Sequence, residues 1–266
     1  MEYSADVLHQ LQRVITEIFQ VVTSICDKHN IPYFLAEGTL LGAIRHQGII
    51  PWDDDIDIAV PRAEYERLMK ILPKELPPAY YLQYAGNDRQ YWLHFAKVRK
   101  KGTAFYETTW EGLKNKEKQQ IYIDIFPLDE GNDIKVAGKQ RLLIHRLSHI
   151  GYVKTCNDKE KLFRYYAFKL LPMRLVQWLQ RKVSTYQKQG NYYICFGSAY
   201  GAEKHFIPKE KYLPARQQMF EDKMYSVPAD SDFILRSLYG ADYMQLPPED
   251  KRTNHKPLYL SFDEQE

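Results

Sequence analysis

Apolar residues recur three and four positions apart from the start of the chain: Val7, Leu8, Leu11, Val14, Ile15, Ile18, Val22 and Ile25. That spacing lays one apolar stripe along a helix and predicts α-helix from Ala5 to Lys28, stopped by Asn30 to Pro32. The rhythm then changes. Tyr33 to Ala36 reads as a short buried strand. Gly38-Thr39 leads into a short helix through Leu40 to Arg45, and His46 to Trp52 is a loop containing Gly48 and Pro51. Asp55 to Val60 is a strand closed by Pro61, and Glu64 to Leu72 opens a second amphipathic helix. Ala79 to Tyr84, Tyr91 to Val98, Thr103 to Glu107 and Gln120 to Phe126 carry strand-forming runs. From Ile134 to Gln187 the pattern is helical, with breaks near Asn157 and Pro172. Beyond it the chain is proline-punctuated, with one helix near Asp232 to Tyr239. The expected architecture is α+β: residues 1–130 form a mixed core, and residues 131–266 a basic helical and irregular portion packed on it.

Composition narrows the class. The 266 residues are 44% apolar and 27% charged, with a net charge of +3, which is ordinary globular chemistry. No window approaches the ~18 apolar residues of a membrane span, and the opening MEYSADVLHQLQ carries acids where a signal peptide carries cations. Cys26, Cys156 and Cys195 are too dispersed for a disulfide framework or a paired-cysteine zinc site. These features predict a soluble, reduced, cytoplasmic protein. One asymmetry stands out: Lys135 to Lys188 holds 13 Lys and Arg against two acids, Asp158 and Glu160. Charge segregation of this size concerns partners more than fold.

The segment AEGTLLGAIRHQGIIPWDDDIDIAV carries the chemistry. Acidic runs are usually solvated turns, but here β-branched residues flank the acids and argue for a strand. On a strand, Asp55 and Asp57 share one face while Ile56 and Ile58 point to the other. Like charges held side by side need a counter-ion, and a hard cation such as Mg²⁺ supplies it. Asp53 has the same parity. A third carboxylate is expected for a metal site or a base, and Asp124 in QIYIDIFPLDE, set between Tyr122 and Phe126 on one strand face, is the candidate. Asp129 reads instead as an acid satisfied by the turn at Pro127. Gly38 and Thr39 sit at a strand-to-helix join, where backbone N–H groups attract phosphate; Thr39 adds a hydroxyl donor or caps the helix.

These parts resemble the nucleotidyltransferase superfamily with a polymerase-β-like core, a mixed sheet flanked by helices. More specifically, EGTLLGAIRHQGIIPWDDDIDIA, YIDIFPLD and LYGADYMQLPPEDKRTNH resemble the LicD family of phosphotransferases over nearly the whole chain. The resemblance implies transfer of a phosphorylated alcohol, often phosphocholine, from its CDP derivative to a sugar hydroxyl of a teichoic-acid or lipopolysaccharide precursor, with release of CMP. It implies that Asp55, Asp57 and Asp124 hold Mg²⁺ (or Mn²⁺), that Asp53 joins them or orients a metal-bound water, and that Gly38 and Thr39 cradle phosphate; the mechanism expected from this has Asp124, or a metal-bound hydroxide, take the acceptor proton.

Such a reaction needs cations around the diphosphate, and Arg45, Lys97 and Arg99 are the candidates. His46 is a candidate proton relay. A choline headgroup is held by aromatic faces, which makes Trp52, beside the acidic strand, the cage candidate, with Trp110 among its companions. Arg252 and His255 match the closing motif and are expected to fold back toward the site. The basic segment from Lys135 to Lys188 is expected to meet anionic membrane at the inner face or a lipid-linked glycan acceptor; no motif points to nucleic acid. Two rivals stand beside this reading: a nucleotidyltransferase moving NMP to a small acceptor, and a non-catalytic glycan- or membrane-binding scaffold.

Overall fold

The computed structural model describes residues 3–107, 119–155, 171–252, 254–255 and 257–263. Cys156, Trp110 and the break near Asn157 lie outside the described residues. Helix α1 (Ala5–Lys28) has the predicted bounds. Ser4 caps it by accepting from the Val7 N–H, and Leu11, Ile15, Ile18, Phe19 and Val22 form its buried stripe.

A curled mixed sheet follows. It is built from β1 (Phe34–Leu35), β2 (Asp57–Pro61), β3 (Tyr80–Gln83), β4 (Ala96–Lys100) and β6 (Tyr122–Gly131), in the order β1-β2-β6-β4-β3. β2 runs parallel to β6, and β4 antiparallel to it. Helix α3 (Arg62–Glu75) and α1 pack on one face, burying Ile58, Ile123 and Ile125 beneath them. Helix α2 (Glu37–Arg45) lies between β1 and β2 in the chain. α4 (Ile134–Thr155) and α5 (Met173–Ser184) pack together, as the helical pattern and the break at Pro172 predicted.

The chain after this helical pair, expected to be mostly irregular with one helix, also forms strands. β7 (Tyr192–Ile194) extends the sheet by pairing with the end of β6, and β8 (Ile207–Pro208) pairs with β7; the short helix α6 (Ala202–His205) lies between these two strands. A hairpin of β9 (Arg216–Phe220) and β10 (Lys223–Val227) packs Phe220 and Tyr225 against Phe19. Helix α7 (Ser231–Tyr239) lies where the sequence placed it. β11 (Tyr259–Ser261) pairs with β5 (Ala104–Tyr106), a strand of the first half. The later residues are therefore stitched into the earlier ones by backbone hydrogen bonds. Among the described residues no helix is long and apolar enough to cross a membrane.

Candidate active site

Three neighbouring strands set the site. Their register places Asp57 of β2 opposite Asp124 of β6, and Asp124 opposite Lys97 of β4. Cross-strand partners share a face, so an acid, an acid and a cation stand in a row across the sheet. All three are buried. Lys97 Nζ donates to both Asp124 oxygens, at 2.8 and 3.0 Å, and lies 3.3 Å from the centre of the Tyr122 ring. β2 begins at Asp57 rather than Asp55. The extended chain before it still pairs, because the Asp124 N–H donates to the Ile56 carbonyl at 3.0 Å. Asp55 and Asp53 thus enter the same cleft from the lead-in to the strand.

The cleft has a volume of about 1310 Å³ and is lined by Gly38, Arg45, Trp52, Asp53, Asp55, Asp57, Lys97, Asp124 and His255 among the residues expected from sequence. Its electrostatics are those of crowded acids. Burial, then the charges of Asp55 and Asp54, push the Asp53 carboxyl well above its ordinary value; burial, then Asp55, Asp124 and Glu37, do the same to Asp57. Burial raises Asp124 to about 6 even though Lys97 pulls it down. The hard oxygen donors fit Mg²⁺ or Mn²⁺, and each Asp124 oxygen keeps a lone pair beyond its bond to Lys97. The donors are spread rather than gathered. Among the described residues, the three-residue groups whose ligand atoms lie within 4.8 Å of one another are Asp54, Asp55 and His255, and Glu37, Cys195 and His205.

Several side chains position the acids. The Asp57 N–H donates to Thr39 Oγ1 at 2.8 Å, so this buried hydroxyl fixes the start of β2 and does not face the cleft. Gly38 leaves room for Asp53: a Cβ there would sit 2.8 Å from Asp53 Oδ2 and force the carboxylate to shift. Asp54, of the opposite parity to the other acids, is 3% exposed and accepts from Tyr3 Oη at 2.7 Å and from the backbone N–H of His255. Its Oδ1 also meets His255 Nδ1 at 2.9 Å. Burial would lower His255, but the bond to Asp54 and the charges of Asp55 and Asp54 hold it up at about 10. The closing motif does fold back to the acidic segment.

Other expected residues land elsewhere. Arg99 is 2% exposed and donates to Gln83 Oε1 and the Gln120 carbonyl; it stands opposite Tyr122 in the register, 5.0 Å from that ring, and does not line the cleft. His46 accepts from Arg45 Nε at 2.9 Å and does not line the cleft. Trp52 does line the cleft, where its ring meets two of the protein's own cations, Arg252 at 4.7 Å and Arg45 at 5.8 Å. Asp129 is held by a two-pronged bond from Arg62, at 2.7 and 2.8 Å, and not by a turn.

Glu37, next to Gly38, was not singled out by sequence. It adopts φ +47°, the left-handed region that L-residues rarely enter, and lines the cleft. One oxygen lies 3.2 Å from His205 Nε2 and the other is buried without a hydrogen-bond partner. Burial, above the pull of Ser198, raises its carboxyl to about 7. The signal was an acid placed directly before a glycine at a strand-to-helix join.

Residues 30–188 match the family described as LicD/FKTN/FKRP, nucleotidyltransferase domain. The chain is 31% identical to the lipopolysaccharide cholinephosphotransferase LicD of Haemophilus influenzae, over 93% of this chain and 95% of that protein. A shorter match, 40% identical over 48 residues, covers 18% of this chain and 10% of the human ribitol 5-phosphate transferase FKRP. An uncharacterized Rickettsia prowazekii protein, RP689, is 52% identical over 50 residues, 19% of each chain.

Proposed function

The chain belongs to the LicD family, and from that premise we propose that it transfers phosphocholine from CDP-choline to a sugar hydroxyl of a lipopolysaccharide- or teichoic-acid-type glycan precursor, releasing CMP. The observation that carries the reading is the row of Asp57, Asp124 and Lys97 across three strands, with Asp55 and Asp53 beside it in one large cleft. A nucleotidyltransferase-like core is the fold this reading takes.

Asp55, Asp57 and Asp124, with Asp53, would hold Mg²⁺ or Mn²⁺, which when bound neutralises diphosphate charge and the developing charge of the leaving group. Lys97 holds Asp124 in place and adds a fixed positive charge at the floor of the cleft. Arg45, 2.9 Å from the Tyr243 carbonyl, is fixed at the rim where the nucleotide phosphates would enter. In the proposed step the acceptor oxygen attacks the β-phosphorus, the bridging P–O bond breaks, and CMP leaves with the bonding pair. The acceptor proton passes to the carboxylate of Asp124.

The test is CMP release from CDP-choline with Mg²⁺ and a panel of amino-sugar acceptors. Acceptor-dependent CMP that disappears in Asp57→Asn supports the reading. Release of pyrophosphate from CTP without use of CDP-choline would replace it with the nucleotidyltransferase rival. Activity with CDP-ribitol or CDP-glycerol alone would keep the mechanism and change the donor. No turnover with any donor and no Mg²⁺ binding would leave the scaffold rival.

A further inference from the structure

We propose that the outer faces of α4 and α5 dock this protein on an anionic lipid surface beside the mouth of the cleft. Neither helix contains a single Asp or Glu, while α4 carries Lys135, Lys139, Arg141, Arg146 and Lys154, and α5 carries Arg174, Arg181 and Lys182. A merely solvated helix face mixes both signs; an acid-free pair of helices in a chain of net charge only +3 selects a negative partner.

The same faces expose apolar side chains. Leu142 is 52% exposed, Leu143 45%, Leu175 38% and Trp178 52%. At 100° per residue, Lys135, Lys139, Leu142, Leu143 and Arg146 fall on one side of α4, opposite the packed Ala137, Gln140, Ile144 and Leu147. On α5, Leu175, Trp178 and Lys182 lie opposite the buried Val176, Gln177 and Gln180. Buried glutamines fix these orientations: Gln140 donates to the Val183 carbonyl, and Gln180 to Ser148 Oγ and the Trp92 carbonyl. Lys135, Lys139, Arg146 and Arg174 form no ion pair with any described residue, in contrast to Arg181, which is held by Glu66. Exposed leucines and a tryptophan interleaved with cations is the chemistry of a helix lying in a lipid headgroup layer.

Position gives the surface its use. A third of a turn from the outer stripe, α4 presents His145, Ser148, His149 and Tyr152 to the cleft. One helix therefore borders both the lipid and the site, and an acceptor glycan carried on a lipid would meet the cleft there. The acceptor rests on the transferase reading above; the docking itself does not.

The experiment is co-sedimentation of the full chain with vesicles. Pelleting is expected at low salt with equal parts phosphatidylcholine and phosphatidylglycerol, with release at high salt and no pelleting on phosphatidylcholine alone. Lys139→Glu with Arg146→Glu should weaken vesicle affinity by about tenfold or more. Leu142→Ser with Trp178→Ser should weaken it at every salt concentration. Both pairs are exposed, so fold and transfer to a water-soluble acceptor are expected to stay unchanged. Absence of pelleting at low salt, pelleting unaffected by either pair, or a dimer in light scattering that either pair dissociates would each overturn the proposal. A lack of transferase activity beside normal pelleting would sink the function and leave the docking standing.

Discussion

Replacing Lys97 by Met keeps the length of the side chain and removes its charge. Lys97 is 3% exposed and supplies both hydrogen bonds that reach Asp124, which already faces Asp57 across the strand pair. Removing one partner of a buried ion pair costs about 3–5 kcal/mol. Protonation of Asp124 limits that cost. With Lys97 beside it the Asp124 carboxyl already stands at about 6, so keeping its proton in the variant costs about 1.4 kcal/mol for the one pH unit between 6 and 7, and nothing below that. Urea unfolding in EDTA should therefore show Lys97→Met less stable by about 1–2 kcal/mol at pH 7 and by under about 0.5 kcal/mol at pH 5.5. Adding Asp124→Leu to Lys97→Met should recover most of the loss, since no charge then remains unpaired. Mg²⁺ should stabilise Lys97→Met more than the parent, because a cation held by the acids substitutes for the missing ammonium. A loss under about 1 kcal/mol at pH 7, or one that does not shrink on acidification, would refute the pairing argument.

Gly38→Ala drives a methyl into the Asp53 carboxylate; the unfolding midpoint should hold while transfer falls by about 100-fold, read as CMP release. Unchanged turnover would mean that the position of Asp53 does not matter. Asp129→Ala leaves Arg62 without its buried partner and should cost about 3–5 kcal/mol in urea unfolding. His205 is buried and held neutral, its pKa pushed down to about 3 by burial and by Arg141 and Lys204. The unfolded chain takes up a proton near pH 6.5 that the folded protein refuses, so this group withdraws stability as the pH falls. The cost of His205→Gln at pH 7.5 should thus shrink by about 1.4 kcal/mol per unit below pH 6.5, and a constant difference between the two proteins would refute it.

The parts of the fold visible in sequence are those written in local periodicity. α1 is bounded as its apolar spacing requires, and α7 lies at the one helical pattern after the basic segment. The acids of β2 were visible because alternation with isoleucine sorts a strand into two faces. What places Asp57 against Asp124 and Lys97 is a long-range register, which no local pattern encodes. β4 shows the limit clearly. Tyr91 to Val98 looks like strand, yet pairing starts only at Ala96. The carbonyls of Tyr91 and Trp92 are taken by Gln177 and Gln180 of α5, and their rings pack with Leu93, Tyr152 and Met173. The β9–β10 hairpin was missed because it turns through Glu221-Asp222, with Glu221 at φ +55°, where the turn signal would be Asn-Gly. Asp54 was passed over because parity turned it from the other acids, and its partners Tyr3 and His255 lie 51 and 201 residues away. The contact of Arg252 with the Trp52 ring was hidden for the same reason, since the two are distant in the chain.

The meeting of Tyr3 and His255 on one carboxylate has a consequence for the order in which the protein is made. The ribosome delivers β2, β4 and β6 early, so the strands can pair and gather their acids while residues 252–255 are still unsynthesised. Through that interval Arg252 is absent from Trp52, and among the described residues Asp54 has Tyr3 as its side-chain donor. The wall of the cleft supplied by Asn254 and His255 closes last. A chain halted before that point would have these strands in register and Asp54 without His255, so synthesis through residue 255 is the step that completes this wall of the cleft.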